Sequence, residues 1–292
     1  MASSVRPQPP AAPAAPPDTD IFLAPLESVD GALTAGAAVN ITKSPGYDNQ
    51  PAFLPDSRAL LFTSIRGGSQ TDIYRYDLST KQTARVTNTP ESEYSPTVMP
   101  DRQHFSVIRV EADKTQRLWR FALDGSDPAL VLPGIKPVGY HAWLDARTVA
   151  LYVLGQPSTL QIGDLESGTA EIVARDIGRS LQKIPGAGAV SFVQRDPPAQ
   201  AGAPPAISIR AFDLRIRQIT ELTRALPGAS EPDVAWTPDG FLITAHEGGL
   251  YRWRLGARSW TRMADLSDVG VRGVTRLAVS PDGKWLAMVG AP

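Results

Sequence analysis

The chain of 292 residues contains no cysteine. That excludes disulfide frameworks, thiolate nucleophiles and Cys-ligated zinc or iron–sulfur centres. Histidine is nearly absent as well, with His104, His141 and His246 scattered and no second His at helical spacing from any of them. No stretch approaches the roughly 18 consecutive apolar residues that a membrane helix needs. Excess charge is also missing: 29 basic against 30 acidic residues leave a net charge of −1. A balance of that kind argues against electrostatic capture of nucleic acid or of an anionic membrane. No Gly-rich phosphate loop and no Gly-x-Ser-x-Gly elbow occurs, so neither nucleotide-fold nor α/β-hydrolase chemistry is expected.

Apolar residues are plentiful instead, at 42%, enough for a sizeable core. Residues 1–19 stand apart, being almost wholly Ala, Pro and small polar residues, and are expected to form a disordered tether. Met1 is expected to replace a leader, either a signal peptide or a lipoprotein anchor.

From Asp20 onward the helical period gives way to short alternating runs, with 24 Gly and 27 Pro falling between them. Two markers recur. One is a strand closing on Leu: DIFLAPL (20–26), DIYRYDL (72–78), RLWRFAL (117–123), TLQIGDL (159–165), SIRAFDL (208–214) and GLYRWRL (249–255). The other is a turn built on Pro-Asp: LPDSR (54–58), MPDRQ (99–103), TPDGF (237–241) and SPDGK (280–284). Leu144–Arg147 and Pro185–Gly188 fill the remaining two slots in degraded form. Pro sets φ for the first corner of such a turn, and Asp and Gly suit the next.

Units of 41–52 residues between closing leucines, each with room for four strands, have the spacing of a β-propeller blade. Five whole blades fit between about Lys43 and Leu266. The C-terminus then supplies an inner pair of strands and residues 20–42 an outer pair. The expectation is therefore all-β: one domain over 20–292, a six-bladed propeller of four-stranded antiparallel blades, its last blade closed by both termini.

The segments 51–87 and 235–255 resemble the repeat of TolB-like propellers, periplasmic relatives of WD-repeat proteins. The resemblance covers essentially all of 20–292 and is weakest in blades three and four. It implies an extracytoplasmic, non-catalytic module, expected to be monomeric, that presents loops to a protein or peptide partner. The α/β domain that precedes the propeller in TolB has no counterpart here. The catalytic domain of prolyl-oligopeptidase-like relatives has none either. No Trp-Asp dipeptide marks WD repeats, and Ser280–Trp285 departs in spacing from a sialidase Asp box.

Candidate binding residues follow from where propellers present ligands, on the loops leading into the inner strands around the central channel. Those loops carry Tyr47, Asp48 and Asn49, then Glu93 and Tyr94, Tyr140 and His141, Arg179, Glu231 and Asp233, and Arg272. Together they suggest a mildly acidic mouth flanked by tyrosines, suited to a basic or hydroxyl-rich partner. No catalytic residue and no resident cofactor is expected. The alternative is a Ca²⁺-dependent hydrolase or lactonase with the ion on Asp48, Glu93, Glu231 and Asp233, since carboxylates are hard ligands for it. A glycan-binding propeller is a third reading. Arg195–Pro205 lengthens blade four as an exposed, Pro-rich loop. Trp119, Trp253, Trp260 and Trp285 are expected to pack between blades.

Overall fold

A computed structural model of the protein describes residues 16–29, 32–198, 200 and 205–292. It contains six antiparallel sheets and a single helical turn, Leu266–Val269. The inner strands are Asp48–Phe53, Ser92–Val98, Val138–Trp143, Ile177–Lys183, Val234–Trp236 and Arg272–Val279, for blades 1 to 6 in order. Each lies against the inner strands of the blades before and after it, and Arg272–Val279 lies against Asp48–Phe53, so the ring is closed.

Both markers of the repeat have a physical role, and the two meet on one side of the ring. In the Pro-Asp turn the carboxylate accepts backbone N–H groups ahead of it: Asp101 takes those of Gln103 and His104, and Asp282 that of Lys284. The residue after Asp is left-handed, Gly240 at φ 87° and Gly283 at φ 72°, with Ser57 and Arg102 at φ 59° in blades 1 and 2. Glycine reaches that region without steric cost, whereas other residues are strained there. In the Asp-Leu marker the Asp caps the turn between third and fourth strands. Asp77, Asp164 and Asp213 each accept two N–H groups from residues two and three ahead. The Leu N–H then bonds back beside the Pro-Asp turn, as Leu78 to Arg58 O and Leu214 to Gly188 O, both at 2.9 Å.

Every sheet is covered on both faces by its neighbours, which is why the second strands are almost continuously apolar. All six residues of Ala59–Ser64 are buried. Six apolar clusters form, one in each gap between adjacent blades. Phe62, Phe105 and Phe192 are wholly buried in three of these gaps, each such ring contributing about 1.5–3 kcal/mol. Trp119, Trp253, Trp260 and Trp285 all belong to these gaps, as the sequence suggests.

The sixth blade is made by both ends of the chain. Asp20–Val29 pairs antiparallel with Trp285–Ala291, with Ile21 opposite Val289. Its outer strand is split into Ala32–Ala35 and Val39–Asn40, a division not legible in the sequence. The cause is Pro25 in the middle of the paired strand, which has no N–H to give the ladder. Its carbonyl accepts from Gly36, and the chain leaves the sheet there until Ala38 bonds to Val269 O. Asp18 and Thr19, on the tether side of the expected boundary, already contact the propeller. Thr19 bridges to Tyr47, and the Gly46 N–H donates to Asp18; residues 1–15 of the expected tether lie outside the described residues.

Candidate functional site

Each inner strand enters the channel at one face, called the mouth, and ends at the Pro-Asp turn on the other. Five of the six inner strands carry a register shift near the mouth: between Asn49 and Ala52, Tyr94 and Thr97, Val138 and Tyr140, Ile177 and Leu181, and Arg272 and Arg276. A bulge of this kind re-aims a side chain that regular pleating would turn into a neighbouring sheet. Gln50 and Ser95, at φ 56° and 53°, are left-handed in consequence. Six residues, one from each blade, line the bore: Gln50, Ser95, Tyr140, Ser180, Asp233 and Arg276, the blade 5 strand beside Asp233 pairing without such a shift. They surround a cavity of about 340 Å³, whose deeper wall holds the small residues Ala52, Ala142, Ala235 and Ala278.

Arg276 organises this ring. Its guanidinium crosses the bore from blade 6 to blade 3, the blade opposite, where Nη2 donates to the Tyr140 hydroxyl at 2.7 Å. The guanidinium carbon lies 4.7 Å from the centre of the Tyr140 ring, a cation–π geometry. Nη1 stands 3.6 Å from Asp233 Oδ1, and that aspartate also accepts the Leu277 N–H at 2.8 Å. Burial nevertheless pushes the Asp233 carboxyl above the usual carboxylate range, against the pull of Arg276. Gln50 Oε1 accepts from Thr63 Oγ1 at 2.9 Å and from the Ser95 N–H at 2.8 Å, joining blades 1 and 2. Tyr47 stands half-buried among Arg276, Tyr140, Tyr94 and Arg179, and burial pushes its hydroxyl up to about 12. Arg179 reaches the Thr275 carbonyl with Nη2 at 3.4 Å, while its buried Nε has no hydrogen-bond partner among the described residues. A second cavity of about 340 Å³ opens between blades 5 and 6 and shares Arg179, Asp233, Arg276 and Leu277 with the first.

The sequence-derived candidates divide accordingly. Tyr47, Tyr94, Tyr140, Arg179 and Asp233 gather at the mouth. Asp48, at 1% exposure, instead faces Arg66 at 3.5 Å in the join between blades 6 and 1, and burial raises its carboxyl. Asn49 is buried, its Oδ1 accepting the Gln50 N–H within the bulge. Glu93 is fully buried between blades 1 and 2, accepting from Thr87, Thr89 and Arg109. Burial pushes its carboxyl up to about 7. Glu231 pairs with Arg195 of blade 4. Arg272 lines a separate cleft beside Ser267 and Gly248. The four carboxylates considered for Ca²⁺ are thus held apart, each on its own cation. No group of three or more His, Asp or Glu residues that could hold a metal ion forms among the described residues.

His141 Nε2 lies 2.6 Å from Ser106 Oγ, which also accepts from Trp143 Nε1 at 2.8 Å. The spacing is that of a nucleophile and its base. Ser106 is fully buried, however, and His141 Nδ1 has no orienting acceptor among the described residues. Burial pushes the imidazole down to about 3, so it is neutral at physiological pH. The pair ties blade 2 to blade 3.

No protein-family model and no curated protein sequence matches the chain. Solved structures do. A TolB-type protein from Agrobacterium tumefaciens superposes with a TM-score of 0.69 at 15% identity, over 94% of this chain and 99% of that one. TolB from Acinetobacter baumannii gives 0.60 at 13% identity, over 94% of this chain and 65% of its own. The fold is that of a TolB-like six-bladed propeller. An oligogalacturonate lyase from Vibrio parahaemolyticus shares it more loosely, with a TM-score of 0.53 at 13% identity over 95% and 99% of the two proteins. At these identities the likeness is one of fold.

Within the TolB-like ring, the sequence reading missed Gln50, Ser95, Ser180 and above all Arg276, having placed Arg272 at the mouth for blade 6. A usable signal exists. Gln50, Ser95, Ser180, Asp233 and Arg276 each stand five residues before the Pro of their turn (Pro55, Pro100, Pro185, Pro238, Pro281), and Tyr140 five before Asp145.

Proposed function

We propose that the protein is a non-catalytic, extracytoplasmic binding module whose channel mouth docks a protein or peptide partner. The observation that carries this reading is the mouth itself. Three tyrosines and two arginines from blades 1, 2, 3, 4 and 6 converge on one rim, and Tyr and Arg are residue types that dominate protein interfaces. A rigid closed ring presents them at little ordering cost, which favours affinity. The carboxylates of the blade joins each face a cation of their own, and the Ser106–His141 pair is sealed, which favours recognition over catalysis. The extracytoplasmic location rests on the TolB-like fold; no helix among the described residues is long and apolar enough to cross a membrane.

The test is affinity capture from envelope extracts with the wild type beside Tyr47→Ala/Tyr94→Ala. The expected result is a saturable partner, retained in EDTA, whose affinity falls about 30-fold or more in the double variant, as for interface anchors. Capture of the same partner with unchanged affinity by the variant would move docking away from the mouth and overturn the reading.

A further inference from the structure

We propose that the mouth is a carboxylate site: one acidic group of the docked partner, either an Asp or Glu side-chain carboxylate or the free carboxylate of a peptide terminus, is received between Arg179 and Arg276. The inference deepens the docking reading, on which it rests, by naming what is recognised there.

The argument begins with charge. The residues lining the channel cavity include three cations, Arg179, Lys183 and Arg276, and one carboxylate, Asp233. A protein whose net charge is −1 has therefore assembled a cationic bore. Asp233 does not neutralise it, being committed to Arg276 and the Leu277 amide. Carboxylates on the adjoining cleft are also committed or solvated: Glu231 pairs with Arg195, and Glu247 is 76% exposed beside His246. Lys183 is exposed at the far end of its strand, so the mouth cation without an ion pair within 4 Å among the described residues is Arg179, which Asp233 feels only at longer range.

Hydrogen-bonding capacity points the same way. A guanidinium carries five N–H donors in a planar fork. Arg276 gives one hydrogen bond, to Tyr140, and stands 3.6 Å from Asp233, so part of its fork is left for a ligand. Arg179 makes one long hydrogen bond, to the Thr275 carbonyl, and its Nε is buried without an acceptor among the described residues. A charged donor removed from water without an acceptor is costly, and a carboxylate binding the fork through both oxygens would satisfy it. The surrounding tyrosines, Tyr47 with its hydroxyl held protonated, add neutral donors on the same rim.

The shape selects among anions. Below the polar ring, Pro51, Pro96, Leu181 and Leu277 join the small alanines in lining the bore. Apolar walls leading from one cationic point suit a single acidic group on a short apolar stem. They offer few partners to the hydroxyls of an oligosaccharide.

Isothermal titration tests this with three probes: acetyl-Gly-Glu-Gly-amide, acetyl-Gly-Gly-Gly with a free C-terminus, and the neutral acetyl-Gly-Gln-Gly-amide. At least one acidic probe should bind at least about tenfold more tightly than the neutral one, and which one binds better distinguishes a side-chain carboxylate from a terminal one. Binding should weaken with salt. Arg179→Gln should lose it by at least about tenfold at unchanged melting temperature, and Arg179→Lys should restore part of it. Equal binding of the neutral probe or wild-type binding by Arg179→Gln would each overturn the proposal. Should the acidic probes fail while a partner is still captured through Tyr47 and Tyr94, the carboxylate inference falls and docking stands. Should capture survive loss of both tyrosines, docking itself falls.

Discussion

Glu93 and His141 are both sealed between blades, and burial moves their proton affinities in opposite directions. In the folded protein Glu93 keeps its proton up to about pH 7, against an ordinary value of 4.5. The folded state thus binds more protons than the unfolded one between those values. The stability contributed by Glu93 is full below about 4.5 and declines as pH rises to 7, by up to about 3 kcal/mol. His141 works the other way: its pKa falls from 6.5 to about 3, so its contribution is full above 6.5 and declines as pH drops. Thermal melting of Glu93→Gln against wild type separates the two. The difference in stability should shift in favour of the variant as pH rises from 4.5 to 7, and stay constant above. A difference independent of pH would mean that Glu93 is ionised throughout. Tyr140→Phe is a smaller change at the same scale. It keeps the ring under Arg276 but removes the acceptor at 2.7 Å, and should cost about 1 kcal/mol in chemical denaturation.

At the scale of the element, the turns carry the fold and the bulges carry the site. Arg102 is an exposed residue held at φ 59°, where blades 5 and 6 place glycine. Arg102→Gly should therefore raise stability by about 0.5–1 kcal/mol, read from the urea midpoint. Asp213→Ala removes the acceptor for two backbone N–H groups of its turn and should lower the urea midpoint. These turns are also why the architecture could be read from the sequence. Pro-Asp and Asp-Leu are local devices, each acting on residues two or three away, so they leave a local trace. The blade count and the closure by both termini followed from their spacing. The mouth left no such trace. An inner strand that bulges contains one or two residues more than its partner opposes, and alternation of apolar and polar residues does not reveal which. Reading from the loop inward, Arg272 therefore took the place of Arg276, four residues on, across the shift between them. Asp48 and Glu93 were misplaced for the same reason. They stand seven residues before their prolines, where the strand turns its side chains into the blade joins, and Asp233 stands five before its own. Their partners lie elsewhere, Arg66 just past the second strand of blade 1 and Arg109 in the second strand of blade 2, and no spacing along the sequence foretells those pairings.

For the whole molecule, stability is distributed around a ring whose six apolar gaps are each shared by two blades. No blade buries its faces alone. Removing residues 20–42 takes two strands from blade 6 and uncovers the gaps on either side of it, where Ile21, Leu23, Phe22 and Leu26 are buried. The truncated protein should lose cooperative melting by circular dichroism, and a synthetic 20–42 peptide added in trans should restore it. A truncated ring melting as sharply as the full-length protein would show that five blades close without the sixth.

That same seam sets an order of events. Ile21 is among the first residues of the propeller to be made, and Val289, the residue it faces, among the last. At roughly 5–20 residues per second of synthesis, the first strand waits on the order of ten seconds to a minute with its hydrogen-bonding edge open. Ring closure thus waits until the propeller's last strand has been made, and until it occurs the nascent polypeptide has an unpaired strand that must be kept from neighbours of its own kind.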